Sequence, residues 1–412
     1  MINTLHDLDL YGSLVLTRVD FNVPMDENGK ITDDTRIRES IPTIKYIIDN
    51  RGIPVIISHL GRPNGKVNMK YSLAPVAKRL EELMGEPVHF ATDCIGAGAE
   101  DVVHQRHFGE IALLENLRFH PEEEANDPEF AARIAELGEL YINDAFGTCH
   151  RAHASTVELA NIYVTEKAVG FLLEKELKYL GEALENPERP FVAILGGSKV
   201  SGKIDVIRQL LTKCDTILIG GGMMFTFYKA MGLEIGNSLI EEDRVSLAAE
   251  LIAEAKQLGV TLLLPTDVVV ADSFSNDATF KTVSIERIEA GWIGMDIGEK
   301  TCEQFNSIIT SAKTVVWNGP MGVFEMPNFE SGTRSVAKAM VRATEAGAIT
   351  IIGGGDSAAA IHKFNLEKQV SHVSTGGGAS LEFLEGKILP GVKALEVLTR
   401  STYSFSNNLD NE

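Results

Sequence analysis

The sequence predicts an α/β fold: two lobes, each a parallel sheet flanked by helices, joined by a connecting helix. Length is the first reason, because 412 residues exceed the size at which a single core keeps growing. Pattern is the second. Short β-branched runs alternate with longer segments of helical period almost from end to end, as parallel sheets covered by helices require. The third is the absence of any repeat of about 20–50 residues, which removes solenoid architectures. Two Rossmann-like halves follow.

In the first half, strands are read at LVLTRV, IPVIIS, IALL and LYIN, beginning at Leu14, Ile53, Ile111 and Leu140. Each is a short aliphatic run bounded by turn residues. Between them, TRIRESIPTIKYIIDN from Thr35 and LAPVAKRLEELM from Leu73 carry apolar residues at helical spacing. In GFLLEKELKYLGEALENPERP, the residues Phe171, Leu172, Lys175, Leu177, Leu180 and Leu184 suit one amphipathic helix that ends before Pro187. Residues 171–187 are therefore read as the connecting helix and hinge between a domain of residues 1–170 and one of residues 188–388. The second half resumes with strands FVAIL, DTILI, TLLL, TVVW, AITII and VSHVS, beginning at Phe191, Asp215, Thr261, Thr314, Ala348 and Val370. IDVIRQLLTKC, VSLAAELIAEAKQLG and SGTRSVAKAMVRATEAG supply helices between them.

Composition narrows the partners. A formal net charge of -20 repels nucleic acid and anionic membranes, so any anion site must be built locally. Cys94, Cys149, Cys214 and Cys302 lie far apart with no C-x-x-C spacing. That fits a reducing compartment, with the cytoplasm as the expected address, and neither a zinc site nor a disulfide framework. The opening MINTLHDLDLYG has no basic or apolar export pattern, and no apolar run approaches about 18 residues.

Ligands of open parallel sheets gather at the carboxyl ends of strands. There the first half presents RVDFN (Arg18, Asp20, Asn22), SHLGRP (His59, Arg62), ENLRFH (Arg118) and NDAFGTCHRAH (His150, Arg151, His153), with Arg36 early in the first helix. So many cations at one edge repel each other and call for an anion, which the planar fork of arginine suits. Arg151 beside His150 and His153 argues against a metal there. The second half presents glycine turns instead: LGGSK, IGGGM, LPTD, WNGP, IGGGDS and TGGG. Glycine lets backbone approach a bulky ligand, and helix N-termini add partial positive charge, so a nucleotide is the expected occupant.

Within LGGSKVSGKID, the spacing of Gly197, Gly202 and Lys203 imitates a P-loop, but Ile204 stands where a magnesium-binding hydroxyl belongs. Lys199 and Lys203, at i and i+4, are read at the start of a helix, where the dipole disfavours each by about 0.3–1 kcal/mol. A phosphate would compensate them, with the amides of Gly196 and Gly197 as further donors. The metal ligand is then sought elsewhere, and Asp356 in GGGDS is the candidate. A nicotinamide dehydrogenase would place G-x-G-x-x-G where RVDFNVP stands, and a non-catalytic anion-binding protein would not need the nucleotide-type turns.

RVDFNVP, SHLGRP, ENLRFHPEEE, NDAFGTCHRAH, GGSKVSGK, WNGPMGVFE, GGGDS and STGGGASLE follow one another as they do in phosphoglycerate kinases, and the chain resembles that family from about residue 10 to 400. The resemblance implies a monomeric two-lobed enzyme, without nucleic-acid or membrane partners. It would exchange phosphate between 1,3-bisphosphoglycerate and ADP, giving 3-phosphoglycerate and ATP with Mg2+. By position, Asp20, Asn22, Arg36, His59, Arg62, Arg118 and Arg151 match the phosphoglycerate-binding residues. Lys199 matches the lysine that meets the transferring phosphoryl group, and Lys203 one that holds nucleotide phosphate. Gly220, Gly221 and Gly294 match the adenine pocket, Asn318 lies near the phosphates and Glu325 matches the acid on the ribose. In the run Gly353, Gly354, Gly355, Asp356 and Ser357, the aspartate matches the magnesium ligand, with phosphate bound beside it. Gly376, Gly377 and Gly378 match the helix N-terminus that faces the phosphoryl group. Arg36, Lys199, Gly377 and Gly378 are thus the expected catalytic set. The resemblance also sends residues 389–412 back to the first domain, ending in a polar tail, and Cys149 stands where alanine is common.

Overall fold

A computed structural model describes residues 1–397; the polar tail TRSTYSFSNNLDNE lies outside the described residues. The chain divides into two compact units. One comprises residues 1–175 with the stretch that begins at Ile388, and the other runs from Glu176 to Lys387.

The first unit is built on β1 (Leu14–Arg18), β2 (Ile53–Ile57), β3 (Val88–Phe90), β4 (Ile111–Leu113), β5 (Leu140–Asn143) and β6 (Lys167–Val169). They form one sheet in the order β3-β4-β2-β1-β5-β6, every pair parallel. The chain moves outward from β1 through β2 and then crosses to β5, so the order reverses between β1 and β5. Such a reversal opens a crevice at the strands' carboxyl ends. The helix Thr35–Asp49 buries Ile37, Ile44 and Ile47 against this sheet's core, the apolar stripe that its spacing foretells.

The second unit carries β7 (Phe191–Leu195), β8 (Thr216–Ile219), β9 (Thr261–Leu263), β10 (Asp267–Ala271), β11 (Phe280–Ser284), β12 (Ile293–Ile297), β13 (Thr314–Asn318), β14 (Ile349–Gly353) and β15 (His372–Val373). Six of these make a parallel sheet in the order β15-β14-β13-β7-β8-β9. Here the reversal lies between β7 and β13, both buried along their whole length. The remaining three form an antiparallel sheet, β11-β10-β12, that the sequence reading did not anticipate. Its strands hide well: β11 alternates exposed and half-buried positions, and β12 contains Gly294 and Asp296. β3 (VHF) and β6 (KAV) were missed because, unlike the equally short β4 and β9, they do not stand in an aliphatic run.

The connecting helix spans Phe171–Glu185, and the boundary between the units falls inside it. Its first turn is tied to the first unit: Asp144 Oδ1 accepts from the amides of Leu172 (2.8 Å) and Leu173 (3.2 Å), and Thr43 Oγ1 from that of Phe171 (2.9 Å). One turn on, the buried Glu176 belongs to the second unit. Its carboxylate meets His372 Nε2 at 2.7 Å and accepts from the Thr375 amide at 2.8 Å, while Tyr179 stacks on the His372 ring.

Candidate active site

In the first unit, the expected anion-binding residues follow β1 (Asp20, Asn22), β2 (His59, Arg62), β4 (Arg118) and β5 (Arg151), with Arg36 in the helix Thr35–Asp49. Asp20 pairs with Arg36 and lies 3.9 Å from His59 Nδ1. Burial alone would raise the Asp20 carboxyl, but the charges of Arg36 and Arg18 outweigh it and hold the group below its usual range. Asn22 Oδ1 accepts from the Gly61 amide at 2.8 Å, and Arg118 donates to the Gly61 carbonyl at 2.9 Å. Arg118 also feels the charge of Arg151, which places the two in one electrostatic neighbourhood. Arg62 is exposed and makes none of these bonds.

Two features of this face differ from the expectation of a surface crown. Arg18 is completely buried; it donates to Ser155 Oγ (2.8 Å), to the Val19 carbonyl and to His59 Nδ1 (3.1 Å). It supports the face from behind. His59 and His153 are buried too and contribute no positive charge. Burial and neighbouring arginines press His59 well below its ordinary value and His153 down to about 3. Arginine can only donate, so His59 Nδ1 is an acceptor and the ring proton sits on Nε2.

A histidine 1H–15N correlation at pH 5 is expected to show both rings neutral, with His59 as the Nε2–H tautomer. A protonated His59 at that pH would contradict this arrangement. Unfolded histidines titrate near about 6.5. The stabilising contribution of the two rings is therefore complete above that pH and is lost as pH falls through the acid range toward about 3.

In the second unit, the turns after β7 and β13 meet at the reversal point. The amides of Gly196 and Gly197 donate to the carbonyls of Asn318 (3.0 Å) and Pro320 (2.9 Å). They are therefore not spare donors for phosphate, contrary to the reading of LGGSK. The helix itself begins only at Ile204, after a 3-10 turn over Ser201–Lys203. Lys199 thus stands in the preceding loop, exposed and without a hydrogen bond among the described residues. Lys203 caps the helix, and its ammonium contacts the backbone and side-chain oxygens of Asn318. Burial draws Lys203 down to about 8, against the opposing pull of Asp356.

Two cavities adjoin here. The larger, about 730 Å³, has mostly apolar walls that include Met224, Phe225, Leu239, Phe274, Ile293 and Met321, with Gly221, Gly294, Glu325 and Asp356 on its lining. The smaller, about 360 Å³, is lined by Lys199, Lys203, Asn318, Gly354, Gly355, Asp356, Ser357, Gly377 and Gly378. They share Gly197, Ser198 and Asp356. Gly220 and Gly353 line neither and lie one residue behind neighbours that do.

Gly221, at φ 66°, turns the chain where any Cβ would strike Gly197 and Pro320, and a Cβ on Gly294 would enter the Phe225 ring. Ser357 is buried, and its Oγ accepts from the Gly319 amide, which leaves its own proton to donate. The amides of Gly377 and Gly378 meet no protein acceptor among the described residues. The apolar walls were not foreseen, since three of their members come from the missed antiparallel sheet and its loops: Phe274, Ile293 and Met295.

For a divalent cation, Asp356 offers an exposed carboxylate with no hydrogen-bond or ion-pair partner among the described residues. One carboxylate completed by substrate phosphates is how Mg2+ is commonly held, so the site fits. Among the described residues, only Asp93, Cys94 and His120 form a three-ligand cluster. That cluster is already satisfied: Asp93 Oδ1 takes both His120 Nε2 and the Cys94 amide at 2.7 Å, and burial holds the Cys94 thiol well above its usual range.

The family model described as phosphoglycerate kinase matches residues 5–387. The chain belongs to the phosphoglycerate kinase family. The phosphoglycerate kinase of Chlorobium phaeobacteroides is 58% identical over 392 residues, covering 95% of this chain and 98% of that one. That of Synechococcus elongatus is 57% identical, over 94% and 96%. Among solved structures, phosphoglycerate kinase from Coxiella burnetii superposes with a TM-score of 0.87 at 43% identity, over 96% and 99% of the two chains. The Pyrococcus horikoshii enzyme gives 0.82 at 32% identity, over 96% and 98%. Family membership makes the chain a kinase, and two parallel six-stranded sheets are what that fold requires. Among the described residues, no helix is long and apolar enough to cross a membrane, and no disulfide forms.

Proposed function

We propose that the chain moves a phosphoryl group between 1,3-bisphosphoglycerate and ADP, giving 3-phosphoglycerate and ATP, by direct in-line transfer. The pair of adjoining cavities carries this reading. An apolar space suited to a base opens into a polar one holding two lysines and two unengaged glycine amides. A nucleotide would lie with its base against Gly221 and Gly294, its ribose at Glu325, and its phosphates at Lys203, Asn318 and the Asp356 turn. The arginine face of the first unit would take the phosphoglycerate through Arg36, Arg62, Arg118 and Arg151, with Asp20, Asn22 and neutral His59 orienting it.

In the reverse direction the attacking group is a carboxylate, already ionised near neutral pH, so no general base is needed. The work left to the protein is alignment and charge stabilisation. Arg36, Lys199 and the amides of Gly377 and Gly378 are assigned to the phosphoryl group in flight. Mg2+ at Asp356 would neutralise nucleotide oxygens. Because the two ligands belong to different units, bending at the connecting helix is proposed to bring them together and exclude water from the acyl phosphate. The grips of Asp144 and Glu176 on successive turns of that helix support a hinge there. The enzyme is read as a monomer of the cytoplasm.

A coupled assay with ATP and 3-phosphoglycerate should give turnover that depends on Mg2+. Small-angle scattering should show compaction only with both substrates present. Protein that binds both ligands but makes no product would overturn the assignment.

A further inference from the structure

We infer that Glu123, which no motif role claims, is the positioning residue that organises the phosphoglycerate face; the inference rests on the substrate assignment above. The run PEEE offers three identical acids in one short helix, Pro121–Glu124, and only the middle one is buried. A fully buried carboxylate is costly unless it is paired and hydrogen-bonded. Glu123 is both. Its Oε1 accepts from Ser155 Oγ at 2.6 Å and its Oε2 from the Ser155 amide at 2.9 Å, while its own carbonyl accepts from the Ala154 amide at 2.9 Å. Ser155 is held a third time through its carbonyl, by Tyr141 Oη at 2.7 Å.

From Ser155 the bonds continue in two directions. One runs through the same hydroxyl to Arg18 Nε and then from Arg18 to His59 Nδ1, and the charge of Arg18 also acts on Asp20, the partner of Arg36. The other follows the backbone: residues 153–155 close the loop that presents Arg151, and Glu123 pins that end of it. The charge of Glu123 also reaches Arg118, and His153 Nδ1 lies 3.9 Å from Oε1. One hidden carboxylate thus offsets the buried Arg18 guanidinium and, through Ser155 and Arg18, fixes where His59 stands and holds the Arg18 charge in place behind Asp20 and its partner Arg36. It does so without touching substrate.

Two variants test this. Glu123→Gln keeps the shape, but its amide must face either the Ser155 N–H or the Ser155 hydroxyl, and the charge opposite Arg18 is gone. Ser155→Ala cuts the link to Arg18 while leaving Glu123 in place. For E123Q, the KM for 3-phosphoglycerate should rise by about tenfold or more and the KM for ATP should hardly change. S155A should shift the same constant in the same direction by less. Circular dichroism confirms that each variant is folded, and if E123Q does not fold, S155A decides. Folded variants with an unchanged KM for 3-phosphoglycerate, or with equal rises for both substrates, overturn the proposal. Wild-type protein that fails to bind 3-phosphoglycerate in calorimetry would instead overturn the substrate assignment beneath it.

Discussion

Replacing Lys199 by alanine is expected to lower kcat by about 10²–10³-fold, the usual cost of removing one group that meets charge developing in the transition state. The KM values for nucleotide and for 3-phosphoglycerate should stay within a few-fold of wild type. Lys199 and Lys203 share a cavity yet stand in different conditions. Lys203 is engaged by Asn318 and drawn down to about 8 by burial, as befits a residue that fixes a ground-state ligand. Lys199 is exposed, in a loop, with no hydrogen-bond acceptor among the described residues, and its charge acts on Glu241. A cation on the cavity wall that no hydrogen bond holds in place can meet a group that arrives only during transfer. Interactions made only in the transition state lower kcat and kcat/KM together when removed. Steady-state kinetics in both directions check this, and a K199A enzyme with near-normal kcat would remove Lys199 from the catalytic set.

Arg36→Ala is expected to reduce kcat on a similar scale, again with little change in either KM. The paired Asp20 makes Arg36→Lys the informative companion. Arg36 occupies one side of its guanidinium with Asp20, and the planar fork leaves further donors aligned for a second anion. Lysine supplies the charge but not the fork, so R36K should recover only part of the lost rate. Removing Arg36 also takes away the foremost of the charges that hold Asp20 down, so the Asp20 carboxyl should titrate higher in R36A, measurable by 13C NMR. If R36A changed only the KM for 3-phosphoglycerate, Arg36 would be a binding residue and not a catalytic one.

The parallel sheets were legible because β1, β7 and β13 are buried on both faces and are rich in aliphatic and β-branched residues. The antiparallel sheet was not, since β11 is only half-buried on one side and contains no aliphatic run, and Gly294 within β12 looks like a turn until Phe225 explains it. Site chemistry divided the same way. Turns that end in glycine led to the expectation of a phosphate ligand. Which amides remained available did not show: Gly196 and Gly197 turned out to be spent on Asn318 and Pro320, whereas Gly377 and Gly378 meet no acceptor among the described residues. Likewise, one-dimensional spacing counted Arg18 with the surface arginines, and only the fold reveals that it faces inward to Ser155 and His59. Long-range pairing of this kind leaves no local pattern.

The first unit is assembled from two stretches that lie far apart in the sequence. The Lys167 ammonium grips the Ala394 carbonyl at 2.8 Å, the Gly391 amide reaches Cys149, and the Val397 amide closes on the carbonyl of Met1 at 2.8 Å. During synthesis, then, the half that emerges first from the ribosome must wait, incomplete, until the stretch from Ile388 is released, whereas the other half has all its residues in one continuous run. The part translated second is therefore the first able to reach its finished form, a reversal of the usual vectorial order.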